Sequence, residues 1–83
     1  MFVLYHTILL TNFLVKIYKL DTTQNIISHE EIDSFNSELD SKIFPKDIAE
    51  TLGLFQGISQ IEVYDRNDET NLLLRTGVEI EFN

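Results

Sequence analysis

Apolar residues occupy both alternation parities at the start of the chain. The segment Phe2–Val15 reads FVLYHTILLTNFLV and carries no charge. Phe2, Val3, Tyr5, Ile8, Phe13, Val15, Ile17 and Tyr18 are β-branched or aromatic, which favours strand over helix. Apolarity on both parities implies a strand covered on two faces, or one buried against a second chain. Phe2, Leu4, Ile8 and Leu10 are accordingly the candidate contacts of a homodimer. The polar pair Thr11-Asn12 interrupts the run and predicts a hairpin. Threonine suits poorly the positive φ of a tight hairpin turn, so one long bent strand is the alternative.

The period then changes. Asp21–Asn25 (DTTQN) is a polar turn cluster. Ser28 followed three residues later by Glu31 is the signature of a capping box, with Glu30, Glu31 and Asp33 where a helix dipole favours negative charge. Ile32, Phe35, Leu39 and Ile43 recur at three- to four-residue spacing and predict one apolar helical stripe. Glu38 and Lys42 would form an i,i+4 pair on that helix. Pro45 suits the first position of a second, short helix through Ile48, Ala49 and Leu52, with Gly53 as its C-terminal stop.

The last third alternates with period two. Ser59, Ile61 and Val63 share one face of a strand, with Gln60, Glu62 and Tyr64 on the other. Asp65–Asn71 (DRNDETN) predicts a turn. Leu72, Leu74, Thr76, Val78, Ile80 and Phe82 then point inward, with Leu73, Arg75, Glu79 and Glu81 outward. Placing Ile61 and Val63 on the face of Leu74 and Val78 requires paired positions to sum to an odd number, hence an even-length loop unless a bulge intervenes. A strand over 58–64 is too short to pair all of 72–82, so the segment past Gly77 is expected to bend and join the N-terminal strand. The order β(β)–α–α–β–β predicts an α+β fold. It is a single domain over residues 1–83, with a small antiparallel sheet of three to five strands and one longer and one short helix on one face.

Composition narrows the function. At 83 residues the chain buries roughly 60–65% of its unfolded surface, enough for one modest core. Hydrophobic content of 43% excludes a disordered chain. Without cysteine, disulfides, thiol chemistry and cysteine zinc sites are excluded, and a cytoplasmic setting fits. Lys16 and Lys19 end the apolar opening short of the roughly 20 residues a spanning helix needs, so no membrane segment is expected. One alanine, two arginines and abundant Ile, Leu, Phe and Asn suggest an AT-rich coding genome, such as a low-GC bacterium or its virus.

Charge is lopsided. Residues 1–20 carry a formal +2 and residues 21–83 a formal −10, giving −8 overall. Six scattered basic residues supply no phosphate-binding face, so direct nucleic-acid binding is not expected. His29 and Asp33 stand at i,i+4, but two ligands make no zinc site and His6 lies in another element. From Asp65, the sixth and twelfth positions hold Thr70 and Thr76 where a calcium loop needs Gly and Glu. There is no phosphate loop and no nucleophile motif. No metal, cofactor or enzymatic activity is expected.

What remains is recognition through carboxylates. Glu62, Glu79 and Glu81 are expected to cluster on the exposed sheet face, and Glu38 and Asp40 with the other helix acids on the solvent side of the helices. Such a surface steers association with a basic protein partner and competes with a phosphate backbone for its groove. Solvation alone would also account for the acids. The expectation is a small cytoplasmic binding protein, such as a phage- or mobile-element-encoded inhibitor of a nucleic-acid-handling complex. The alternative is an assembly subunit that self-associates through its N-terminal strand.

Overall fold

The computed structural model describes residues 2–20, 27–53 and 60–77. The element order is β1 (Phe2–Leu9), β2 (Phe13–Leu20), α1 (His29–Asp33), α2 (Asn36–Asp40), α3 (Pro45–Gly53), β3 (Gln60–Asp65) and β4 (Asp68–Gly77). The strands form one antiparallel sheet in the order β1-β2-β3-β4, with the helices on one face: an α+β architecture as the pattern predicts. Among the described residues, no helix is long and apolar enough to cross a membrane.

The opening segment is a hairpin, and the break falls at Thr11-Asn12. The amide of Leu10 donates to the Phe13 carbonyl at 2.9 Å, closing the turn. Asp40 holds that turn from α2, accepting from the Thr11 amide and hydroxyl at 2.8 Å each. This clamp offsets the unsuitability of threonine in a tight turn. The second turn, Arg66-Asn67, packs beside the first: Arg66 donates its Nη1 to the Leu10 carbonyl at 2.7 Å.

The core lies between the helices and one face of the sheet. Ile8, Val15, Ile17, Ile61 and Val63 meet Ile32, Leu39, Ile48, Ala49 and Leu52, with Leu74 packed at the margin. The pairs Val15↔Val63 and Ile17↔Ile61 line up these side chains across the central strands. The most buried strand is therefore β2, where Phe13, Leu14, Val15 and Ile17 are all buried. The expectation of a fully covered first strand is corrected: β1 lies at an edge of the sheet, with Val3, Leu4 and Leu9 exposed.

The expected long helix divides in two. Ser28 caps α1 in a complete capping box with Glu31. The Ser34 hydroxyl then donates to the Glu31 carbonyl at 2.6 Å, and the Phe35 amide donates to the Ile32 carbonyl at 3.1 Å, a bond over three residues. Such local bonds compete with the helical ladder and end α1. The chain restarts as α2, and Ser41 repeats the device on the Glu38 carbonyl. Ile32, Phe35 and Leu39 keep the stripe, but Ile43 falls beyond α2 and is 72% exposed. Pro45 follows two residues later and disfavours helical geometry at Phe44. Lys42 lies outside α2, and among the described residues the expected Glu38–Lys42 pair does not form.

The parity argument for the last hairpin holds over its inner part. Ile61↔Thr76, Glu62↔Arg75 and Val63↔Leu74 sum to an odd number, and the loop has two residues. The strand begins earlier than the sequence pattern indicates, at Asp68. The extra residues are absorbed by irregularities around Tyr64, where Tyr64↔Leu72 is followed by Asp65↔Asp68. This shift turns Leu72 opposite Tyr64, so it does not point inward and is 38% exposed. The expected pairing past Gly77 falls on residues 78–83, outside the described residues. Within them, β1 and β4 occupy opposite edges.

Candidate interaction surfaces

The sheet face turned away from the helices is built from three cross-strand rows. Thr7, Lys16, Glu62 and Arg75 form the middle one. Leu9, Leu14, Tyr64 and Leu72 flank it on one side, and Leu4, Tyr18 and Gln60 on the other. Glu62 does lie on this face, as expected, but it is not an exposed acid. It is 5% exposed and surrounded by donors. The Tyr64 hydroxyl donates to Glu62 Oε1 at 2.6 Å, and Arg75 Nε and Gln60 Nε2 donate to Oε2 at 2.9 and 3.4 Å. Lys16 stands over the Tyr64 ring, its Nζ 5.0 Å from the centroid.

The charges follow from these contacts. Burial pushes the Glu62 carboxyl up. Hydrogen bonds from Tyr64, Arg75 and Tyr18, with the Arg75 charge, outweigh burial and hold it below the usual glutamate range. The Tyr64 hydroxyl is pushed up to about 12, first by its bond to Glu62 and then by burial. Burial and then Glu62 likewise raise Tyr18. Glu62 is thus neutralised within the sheet and is withdrawn as a partner-binding residue. Two basic residues flank it in one row, which the linear sequence does not reveal. Glu79 and Glu81 lie outside the described residues.

The helix layer is where the acids gather. Residues 28–53 hold seven carboxylates against Lys42 and Lys46, a formal −5. Several have local partners. Glu31 completes the α1 cap, Asp33 bonds His6, and Asp40 clamps Thr11. The Thr11 amide, then its hydroxyl, lowers the Asp40 carboxyl below its ordinary range. Asp40 therefore has an architectural role independent of any partner. Glu30, Glu38 and Glu50 are exposed, and Glu50 meets exposed Lys46 at 4.0 Å. An exposed pair at that distance holds neither side chain firmly.

The candidate self-contacts divide. Ile8 and Leu10 are buried in the core, at 1% and 3% exposure, and are corrected from contact residues to core residues. The β1–β2 hairpin turns them toward the helices. Leu4 is 50% exposed on the open face, and the Phe2 side chain lies outside the described residues.

A cluster that the sequence separates also forms at the β1–α1 junction. A bulge between Leu4 and His6 places Tyr5 and His6 together beside α1. His6 Nε2 lies 2.8 Å from Asp33 Oδ1, and its ring stacks on His29 at 4.4 Å and 16°. Tyr5 meets His29 edge-on and donates its hydroxyl to the Ile27 carbonyl. Stacked rings do not aim their nitrogens at a common point. Among the described residues, no group of three or more His, Asp or Glu is arranged to hold a metal ion. The cluster ties β1 to α1.

No protein-family model matches this chain, and no curated protein or solved structure matches it.

Proposed function

We propose that this protein is a non-enzymatic, cytoplasmic binding protein that engages a basic protein partner through its acidic helix layer. The observation that supports this reading is the sorting of charge between two surfaces. The helix layer keeps a formal −5, and Glu30, Glu38 and Glu50 stand exposed on it. The sheet's middle row has its single acid, Glu62, neutralised by Arg75 and the tyrosines. A one-signed layer on a small body raises the encounter rate with an oppositely charged groove. A partner that normally holds a phosphate backbone presents such a groove, and occupying it would make this chain an inhibitor.

The test is capture from lysate of the native host at low and high salt, with Glu30→Lys, Glu38→Lys and Glu50→Lys combined. Charge-driven binding weakens steeply once screening falls to about 10 Å near 0.1 M salt. The expected outcome is a basic protein retained at low salt and lost in the triple variant. Capture indifferent to salt and to the three substitutions contradicts the proposal.

A further inference from the structure

The open face of the sheet has the composition of a protein contact. Leu4, Leu9 and Leu72, exposed by 50%, 61% and 38%, surround Tyr18, Tyr64, Lys16 and Arg75. Tyrosine and arginine with apolar neighbours, beside an acid (Glu62) already held by donors, are what the centre of an interface uses. Leu14 is buried on this side although it is outside the helix-side core cluster, so this face has apolar substance of its own.

We propose that this face packs against the same face of a second copy of the chain, forming a two-sheet sandwich with the helices outside. Among arrangements of two copies, the separation of the acidic helix layers favours this one. Sheets packed face to face lie about 10 Å apart, with a further helix layer of about 10 Å on each side. The two −5 layers then stand well beyond the screening length of about 8 Å at physiological salt. Edge-to-edge pairing through β1 would set both layers side by side on one surface. Four strands at about 4.8 Å spacing and about 26 Å length give roughly 500 Å2 per copy, or about 1,000 Å2 in total, which meets the minimum for a biological interface and suits a weak, concentration-dependent dimer.

This inference goes beyond the acidic-layer proposal and does not depend on it. The sandwich leaves Glu30, Glu38 and Glu50 accessible. It also relocates the self-association expected from the sequence. Leu4 stays in the contact, and Leu9 and Leu72 replace Ile8 and Leu10.

Sedimentation equilibrium of the full chain, from low to high micromolar, tests it. The expected mass is twice the 9.7 kDa of one chain. Leu9→Glu and Leu72→Glu should each weaken association by roughly tenfold or more, because each buries a carboxylate without a partner. Circular dichroism checks that both variants fold; if either does not, Leu9→Ser and Leu72→Ser take their place. A monomer throughout overturns the proposal. A dimer indifferent to Leu72→Glu also overturns it and favours pairing through β1, since β4 lies at the opposite edge. Partner capture through the acidic layer should persist in Leu72→Glu, so failure of either proposal is distinguishable from failure of the other.

Discussion

The two faces of this sheet solve the problem of burial by opposite means. Toward the helices, Val15, Ile17, Ile61 and Val63 are almost fully buried among aliphatic side chains. On the other face the most deeply buried polar group is a carboxylate, Glu62, held by Tyr64 and Arg75. The first face gains from removing apolar surface from water and needs no particular geometry beyond fit. The second keeps an ion under cover only because its acceptor sites are occupied, and it fails when one partner is removed. Acidic residues in this chain therefore count as surface charge only where their cross-strand neighbours leave them exposed.

The largest effect that would break this contrast belongs to the apolar face. Ile17→Ala should cost about 2–5 kcal/mol in urea unfolding, the range for cavities in a packed core. A cost near zero would mean that the helices do not pack on β2. Next comes Glu62→Ala, expected to cost about 1–3 kcal/mol because Arg75 and Tyr64 lose their acceptor. In a double-mutant cycle with Arg75→Gln, the two losses should be non-additive. Additive losses would mean that the pair is not coupled.

The pH dependence sharpens the same contrast. Glu62 is lowered in the fold from an ordinary value of 4.5, so its contribution is complete above that value and is lost as pH falls through the folded one. Tyr64 runs the other way. Raised from 10.0 to about 12, it contributes stability below pH 10 that is lost as pH rises toward 12. Tyr64→Phe should flatten the alkaline loss of stability measured by urea unfolding, although Tyr5 and Tyr18, also raised, will leave a remainder. An unchanged alkaline limb would contradict the Tyr64–Glu62 bond. The smallest effect is at Asp40. Asp40→Asn should loosen the β1–β2 turn, seen as faster amide exchange at Thr11 with little change elsewhere. Unaltered exchange at Thr11 would show that Asp40 does not clamp the turn.

Much of this fold is legible in the sequence because its determinants are local. The Ser28–Glu31 capping box, Pro45 at the start of α3 and the odd-sum register of Ile61↔Thr76 depend on residues near one another in the chain. The errors arise where distant residues decide. Asp40 makes the Thr11 turn workable from 29 positions away. The irregularities around Tyr64 lengthen β4 and turn Leu72 over. Glu62 looks outward by parity, and only the strand order brings Lys16 and Arg75 to either side of it. The split at Ser34-Phe35 is the exception, a local event hidden by a stripe that continues across it. The site was less legible than the fold for the same reason: exposure of a carboxylate depends on its neighbours in space.

The ionisation of Glu62 is the most direct test of the central claim that the sheet neutralises this buried acid with its own cross-strand partners. Carbon-13 detection of side-chain carboxyls during an acid titration resolves that group individually. Glu62 should titrate below its ordinary value of 4.5 and move upward in Arg75→Gln. Titration at the ordinary value, unchanged by Arg75→Gln, would show an exposed acid on the sheet face and contradict the division of charge between the two surfaces.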